Sequence, residues 1–331
     1  MHEVSGVLGG GSLQVQPWVD FLAGDYLADY LPGGGAAVKV AVTGTTDVAD
    51  RLASNLRRVS AQASCSFVTV SAEDTKVHLV EQLFFAVARQ LDWEALASAF
   101  VRSAYEACAF PATTSLLVTE VATAYDVDAR ELYRSVRRQL EQSLLGDPSL
   151  ARELRRAVLR LAQAQLGPGD VTPGEHDAVL GWLRGEATSL AALRPALIHS
   201  RIGRHNARAL LVSVGRLVTA ADARGLVLHL DLWRLAESRR PPVELRTGVY
   251  YSKASVLDAF EVLRQLIDAT DELRGVLVVA VVPPELLTDE SRGLPAYTAL
   301  QLRVADEVRD RRRTNPHAAL VRLEVRLEAV A

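Results

Sequence analysis

Apolar residues fall along this chain in two patterns, one with the short run of a buried strand and one with the three-to-four-residue spacing of a helix. Short, nearly continuous apolar runs stand at Val38–Val42 (within Ala36–Val42), Ser66–Val70, Leu226–Asp231 and Gly275–Val282. Each predicts a strand, and the unbroken ones predict strands buried on both sheet faces. Helical spacing predicts helices over Pro17–Leu31, Leu52–Ser60, His78–Gln90, Trp93–Cys108, most of 113–166, Glu175–Ala192, Arg194–Val218 with a break near Gly203, and Ser255–Leu273. Breakers agree with these limits: Gly33–Gly35, then Pro168, Gly169, Pro173 and Gly174, then Pro283-Pro284. Buried strands alternating with helices predict an α/β fold with a parallel sheet covered on both faces. The stretch between the second and third strands adds a large helical insertion. The expected organisation is a loose Gly/Ser-rich arm at 1–15, a first core segment at 16–110, the helical insertion at 111–192, and a second core segment with C-terminal helices at 193–331.

Composition narrows the class. The 331 residues are 49% hydrophobic and 23% charged, as expected of a globular protein, and the formal net charge of -3 gives no global attraction to nucleic acid or anionic lipid. Two cysteines, Cys65 and Cys108, form neither a disulfide framework nor a metal pattern. No histidine spacing suggests a metal, and His229 inside a strand reads as a core or interface residue. No apolar run reaches membrane-spanning length, and the N-terminus lacks a leader pattern. A cytoplasmic location is therefore expected.

The strand at Ala36–Val42 leads into Gly44-Thr45-Thr46-Asp47-Val48-Ala49-Asp50-Arg51 and then into helix, the strand–loop–helix layout of a phosphate-binding loop, G-x-x-x-x-G-K-[ST]. Gly44 keeps the first glycine. Ala49, Asp50 and Arg51 stand where the second glycine, the lysine and the Ser/Thr belong. A carboxylate in place of an ammonium repels phosphate, and loss of the hydroxyl removes a magnesium ligand. Asp231 ends an apolar strand, the position that holds magnesium in P-loop ATPases. Leu232 follows where an active enzyme carries a water-positioning glutamate. Val282-Pro283-Pro284 ends the last strand where a polar sensor belongs. The expected site is thus a degenerate nucleotide site made of Gly44, Thr45, Thr46, Asp50, Arg51 and Asp231. No cofactor is expected, with Mg-ATP the candidate ligand if backbone N–H groups near Gly44, helped by Lys39 or an arginine, still hold phosphate.

Two basic clusters add interaction chemistry. Leu117–Leu140 reads as a helix–turn–helix, with Asp126-Val127 in the turn and Arg130, Arg134, Arg137 and Arg138 facing outward, where a recognition helix would place them against phosphates and base edges. An ordinary helix pair with solvated arginines is the alternative. Arg201, Arg204 and Arg208 form a second cluster ahead of the acidic strand, suited to an anion, nucleic acid or partner acids, with a solvent-facing basic helix as the alternative. Arg303, Arg309, Arg311, Arg312 and Arg313 on the C-terminal stretch read as a solvated or interface face.

The segments GGGAAVKVAVTGTTDVADRLASNL (Gly33–Leu56), QLFFAVARQ (Gln82–Gln90), RGLVLHLDLWRL (Arg224–Leu235), VLRQLID (Val262–Asp268), GVLVVAVVPPELL (Gly275–Leu287) and LPAYTALQLR (Leu294–Arg303) resemble the ATP-binding subunits of BREX-type bacterial phage-defence systems. The resemblance covers roughly 33–310. It implies a P-loop NTPase-like fold of the AAA/ASCE type and a role in antiviral defence. Partners would be other defence proteins (an ATPase, helicase or methyltransferase) or DNA, in an oligomer or hetero-complex. Gly44 and Asp231 match the family's nucleotide motifs; Ala49, Asp50, Arg51 and Leu232 depart from them. The expected function is a catalytically degenerate ATPase homologue serving as a structural or regulatory subunit. An ATPase with an unorthodox phosphate loop and a DNA-binding component built on the arginine-rich insertion are the alternatives. The chain ends soon after the core, so no appended C-terminal DNA-binding domain is expected.

Overall fold

The computed structural model describes residues 11–111, 114–221, 223–237, 242–305 and 315–325. The cluster at Arg309, Arg311, Arg312 and Arg313 lies outside them. The chain divides into two compact units, Met1–Leu83 with Ala223–Ala331, and Phe84–Asp222.

The first unit opens with a short strand, β1 (Ser12–Gln14), and a helix, α1 (Val15–Phe21), that continues as a π-helical segment, Leu22–Tyr30. Then come β2 (Ala36–Thr43), α2 (Thr46–Gln62) and β3 (Ser66–Ser71). The next helix, α3 (Val80–Ala88), carries the chain into the second unit. That unit is all helix: α4 (Trp93–Ala107), α5 (Val118–Tyr125), α6 (Ala129–Leu145), α7 (Arg152–Ala164), α8 (Pro173–Arg184), α9 (Leu190–Leu193) and α10 (Ala207–Ala220). The chain returns through β4 (Leu226–Asp231), α11 (Lys253–Asp268), β5 (Val276–Val282), α12 (Glu285–Thr288), α13 (Thr298–Val304) and β6 (Leu320–Glu324).

The strands form one parallel sheet in the order β1-β6-β2-β5-β4-β3. All seven residues of β5 are buried, which explains its unbroken apolar run. Leu277, Val279 and Val281 of β5 point into a cluster with Trp18, Leu22 and Leu27 on one side of the sheet and Leu52, Leu56 and Val59 of α2. The alternate β5 residues are buried on the other face, where α11 packs over β2 through the row Val256, Ala259, Phe260, Leu263 and Leu266. Burial of these two rows is the main stabilising term, at roughly 25 cal/mol per Å² of apolar surface.

In the second unit α4, α6 and α7 pack on one another, with α5 beside α6 and α8 beside α7. Glu175 is buried and forms a 2.6 Å ion pair with Arg160, whose guanidinium also reaches Gln163 and the carbonyl of Asp170. Multiple partners are what such a buried charge requires.

Several expectations are corrected. α2 begins at Thr46 rather than Leu52, so residues 46–51 are helix and not loop. Residues 12–14, read as part of a loose arm, pair with β6 as an edge strand. The helix expected to reach Ala192 ends at Arg184, where Gly185 takes a left-handed φ of 75° and a Cβ would meet the Phe85 ring at 2.7 Å. Residues 194–206 contain no regular helix, and α10 starts only at Ala207. The helical unit is also wider than 111–192, because α4 and α10 belong to it. No described helix is long and apolar enough to cross a membrane.

Candidate functional site

In an open parallel sheet, ligands collect beyond the carboxyl ends of the strands. Here those ends are Thr43 of β2, Asp231 of β4, Val282 of β5 and Ser71 of β3. β2 passes into α2 through two residues, Gly44 and Thr45. Thr45 caps the helix: its backbone is extended and its hydroxyl accepts the Val48 N–H at 3.3 Å. Asp47 sits in the first turn, where a carboxylate already complements the positive helix end. Gly44 has no positive φ, and a Cβ added to it would touch nothing within 4 Å. It serves neither a strained turn nor a close backbone approach. Asp50 and Arg51 are exposed residues on the second turn of α2.

Asp231 is engaged by its own chain. Its Oδ1 accepts the Trp233 backbone N–H at 3.0 Å, and its Oδ2 accepts the Ser71 hydroxyl at 3.3 Å. Burial raises its pKa above the ordinary carboxylate range, and the charges of Asp50 and Asp74 add to that; the two hydrogen bonds work the other way. The next residue, Leu232, is 3% exposed, and its N–H bonds to the carbonyl of Val281. Trp233 then turns back across the sheet end. Its indole Nε1 donates to Oγ1 of Thr43 at 2.9 Å, and Thr43 is fully buried. Since β5 lies between β4 and β2, the indole bridges the strand ends on either side of β5.

Lys39 does not reach this end. It is buried in mid-strand, donating to the carbonyls of His317 and Ala318 at 2.5 and 3.2 Å, with its ammonium 5.1 Å from the Tyr26 ring centre. β5 ends in Val282, followed by Pro283-Pro284, and the Thr288 hydroxyl is turned to the carbonyl of Glu285. Arg303 pairs through its guanidinium with Asp268, tying α13 to α11. Among the described residues, no group of three or more His, Cys, Asp or Glu side chains could hold a metal ion.

His229, expected in the core, is buried in β4. Its Nδ1 is 2.9 Å from Thr69 Oγ1, its ring stacks near Phe67, and its Nε2 has no partner among the described residues. Burial, with a smaller push from Arg57, lowers its pKa from 6.5 to about 4, against a weaker pull from Asp50. The unfolded chain therefore binds this proton first. His229 leaves stability untouched above its unfolded pKa and removes up to about 3 kcal/mol as pH falls from 6.5 to about 4. Asp231, whose pKa is raised, acts in the opposite sense over the acid range. His229→Leu should flatten the acid limb of a urea-denaturation series run from pH 7 to pH 4, relative to the parent.

In the helical unit two helices do stand at this place, α5 and α6, joined through Asp126, which takes a left-handed φ of 53°; a helix–turn–helix reader and an ordinary helix pair both have this form. Asp128 caps α6, accepting the N–H groups of Arg130 and Glu131. Arg130, Arg134 and Arg138 are exposed, whereas Arg137 is drawn to Glu141 and Asp170 at 3.0 and 2.9 Å. Arg201 and Arg204 are exposed on a non-helical segment, and Arg208, in α10, is half-buried. Thus Gly44, Thr45, Thr46 and Asp231 share the sheet end, with Asp50 near enough for its charge to act on Asp231, while the basic clusters stand in the other unit. The Trp233–Thr43 bridge was missed by the sequence reading. Its only local signal was an aromatic residue two positions after the acid that ends the strand.

The chain is similar to one family: the description "BREX system ATP-binding protein BrxC/D" matches residues 60–328. The matched stretch begins inside α2, behind Gly44, and includes Asp231. No curated protein and no solved structure matches the chain significantly.

Proposed function

This chain belongs to the family of BREX system ATP-binding proteins BrxC/D, and from that premise we propose that it serves its defence system as a structural or regulatory subunit without hydrolysing ATP. The sheet order supports the AAA/ASCE type of P-loop fold, because β5 is the additional strand between the phosphate-loop strand β2 and the acidic strand β4. The observation that carries the loss of chemistry is the two-residue connection between β2 and α2. A phosphate cradle needs several successive backbone N–H groups wrapped around the anion, and two residues cannot wrap it.

The other residues point the same way. Lys39 does not take the missing cation's place, being held in mid-strand by the carbonyls of His317 and Ala318, and Arg51 is exposed on α2. Asp231 already binds the turn that follows it, and Leu232 offers no base for a water. The triphosphate and its magnesium therefore do not fit these residues. The retained fold presents surfaces, and its partners are other proteins of the system.

Calorimetric titration with Mg-ATP and, in parallel, ADP tests this reading. The expected result is no binding heat at high micromolar ligand and an unchanged melting temperature. A functioning site would add about 2.7 kcal/mol at a hundredfold excess over Kd. Binding together with hydrolysis that Asp231→Ala abolishes would overturn it. Gly44→Ala gives an independent check. A phosphate-loop glycine cannot take a Cβ, but here the substitution should leave stability unchanged or raise it by about 0.5 kcal/mol through the unfolded chain.

A further inference from the structure

We propose that the exposed arginine stripe on α6 is a binding surface for the phosphodiester backbone of duplex DNA. Arg130, Arg134 and Arg138 stand at successive four-residue steps, about 6 Å apart along the helix axis, on one solvent-facing stripe. The opposite face, Leu132, Val136, Leu140 and Leu144, is buried and fixes the helix. Ion pairing separates these three arginines from others in the unit. Arg137, Arg152, Arg160 and Arg216 each meet a carboxylate at 2.6 to 3.2 Å. The guanidinium groups of Arg130, Arg134 and Arg138 meet none among the described residues, and the one bond formed by these three is from Arg134 Nε to the Arg130 carbonyl. Three unpaired cations on a rigid, regularly spaced support suit a repeating anion.

Charge balance sets the kind of binding. Residues 118–145 hold five carboxylates against four arginines. Asp128 is occupied as the cap of α6 and Glu141 by Arg137, which leaves Glu131 on α6 itself. Such a surface reads backbone charge rather than base sequence, and it binds weakly and with steep salt dependence. Beside Arg130 and Arg134 an open cavity of about 630 Å³, lined also by Val118, Tyr133, Leu166 and Pro168, leaves room for the sugar–phosphate edge. The Tyr133 phenol is held by Asp170, so this wall is preformed. The surface belongs to the second unit and does not rest on the nucleotide chemistry of the sheet end.

Fluorescence anisotropy of the full chain with a labelled duplex tests the surface. Three phosphate contacts predict a slope of about -2.7 in log K against log salt, a loss of roughly 40-fold between 50 and 200 mM salt. The triple variant Arg130→Gln, Arg134→Gln, Arg138→Gln should keep its helical circular dichroism, bind far more weakly at low salt and lose that slope. Absence of duplex binding by the parent at low salt, or equal binding by the triple variant, overturns the proposal. So does loss of binding in Arg201→Gln with Arg204→Gln instead. Binding of single-stranded but not duplex DNA also overturns it.

Discussion

Writing the missing residues back in, as Asp50→Lys with Leu232→Glu, should give a less stable protein that still does not hydrolyse ATP. The substitutions restore the identities of an active enzyme but not their geometry. Position 50 lies on the second turn of α2, beyond a helix start at Thr46, so a lysine there extends from a helix flank and does not curl over a phosphate. Position 232 is more restrictive. Leu232 is 3% exposed, and its backbone N–H is committed to Val281. A glutamate there either buries a carboxyl without partners or forces the chain after β4 to rearrange. Lost packing together with an unsatisfied polar group implies a destabilisation of about 3 kcal/mol or more. Urea-denaturation midpoints give the stability change, and a phosphate-release assay gives the turnover. Sustained release from the double variant would show that the connection between β2 and α2 can accept a phosphate after all.

Removal of the Trp233 side chain has the second large expected effect. The indole packs against the cluster beneath the sheet and donates to the buried Thr43 hydroxyl at 2.9 Å. Trp233→Ala should lower stability by about 3 kcal/mol, combining lost packing with a buried hydroxyl oxygen left without its donor. Trp233→Phe keeps most of the contact area and should lose only about 1 kcal/mol. Thr43→Val and the Trp233→Phe, Thr43→Val double variant complete a double-mutant cycle, with an expected coupling of about 1 kcal/mol. A coupling near zero would mean that the bond adds nothing to packing. Trp233→Ala should not create Mg-ATP binding, since the two-residue turn remains; binding heat in that variant would show that the indole, and not the turn, excludes the nucleotide.

The strands were legible because burial on both faces leaves an unbroken apolar signature: Val276–Val282 is apolar throughout, and Leu226–Leu230 breaks only at His229. The start of α2 was misread although its signals were present. Thr45 is a good capping residue, and Asp47 falls in the first turn. The phosphate-loop layout assigns the residues after Gly44 to loop, which competes with both helix-start signals. β1 escaped because three residues carry no period. The π-helical form of Leu22–Tyr30 escaped because its spacing differs too little from α over nine residues. The wider extent of the helical unit was not readable, since nothing local to α4 or α10 says what they pack against. The Trp233–Thr43 bridge joins residues far apart in sequence, and only the sheet order brings them together.

The sheet order has a consequence for synthesis. β1 pairs with β6, β2 with β5 and β6, and β3 with β4. No strand from the first unit's N-terminal segment pairs with another from that segment. The first ladder to close, Ser66↔Leu226, must wait until the whole helical unit has left the ribosome. Until then, the nascent chain carries two apolar strands with open edges, the condition that favours aggregation and slow folding. Yield during expression should therefore depend on how quickly residues beyond 226 emerge, and a chain interrupted within the helical unit should be a substrate for chaperones or proteases.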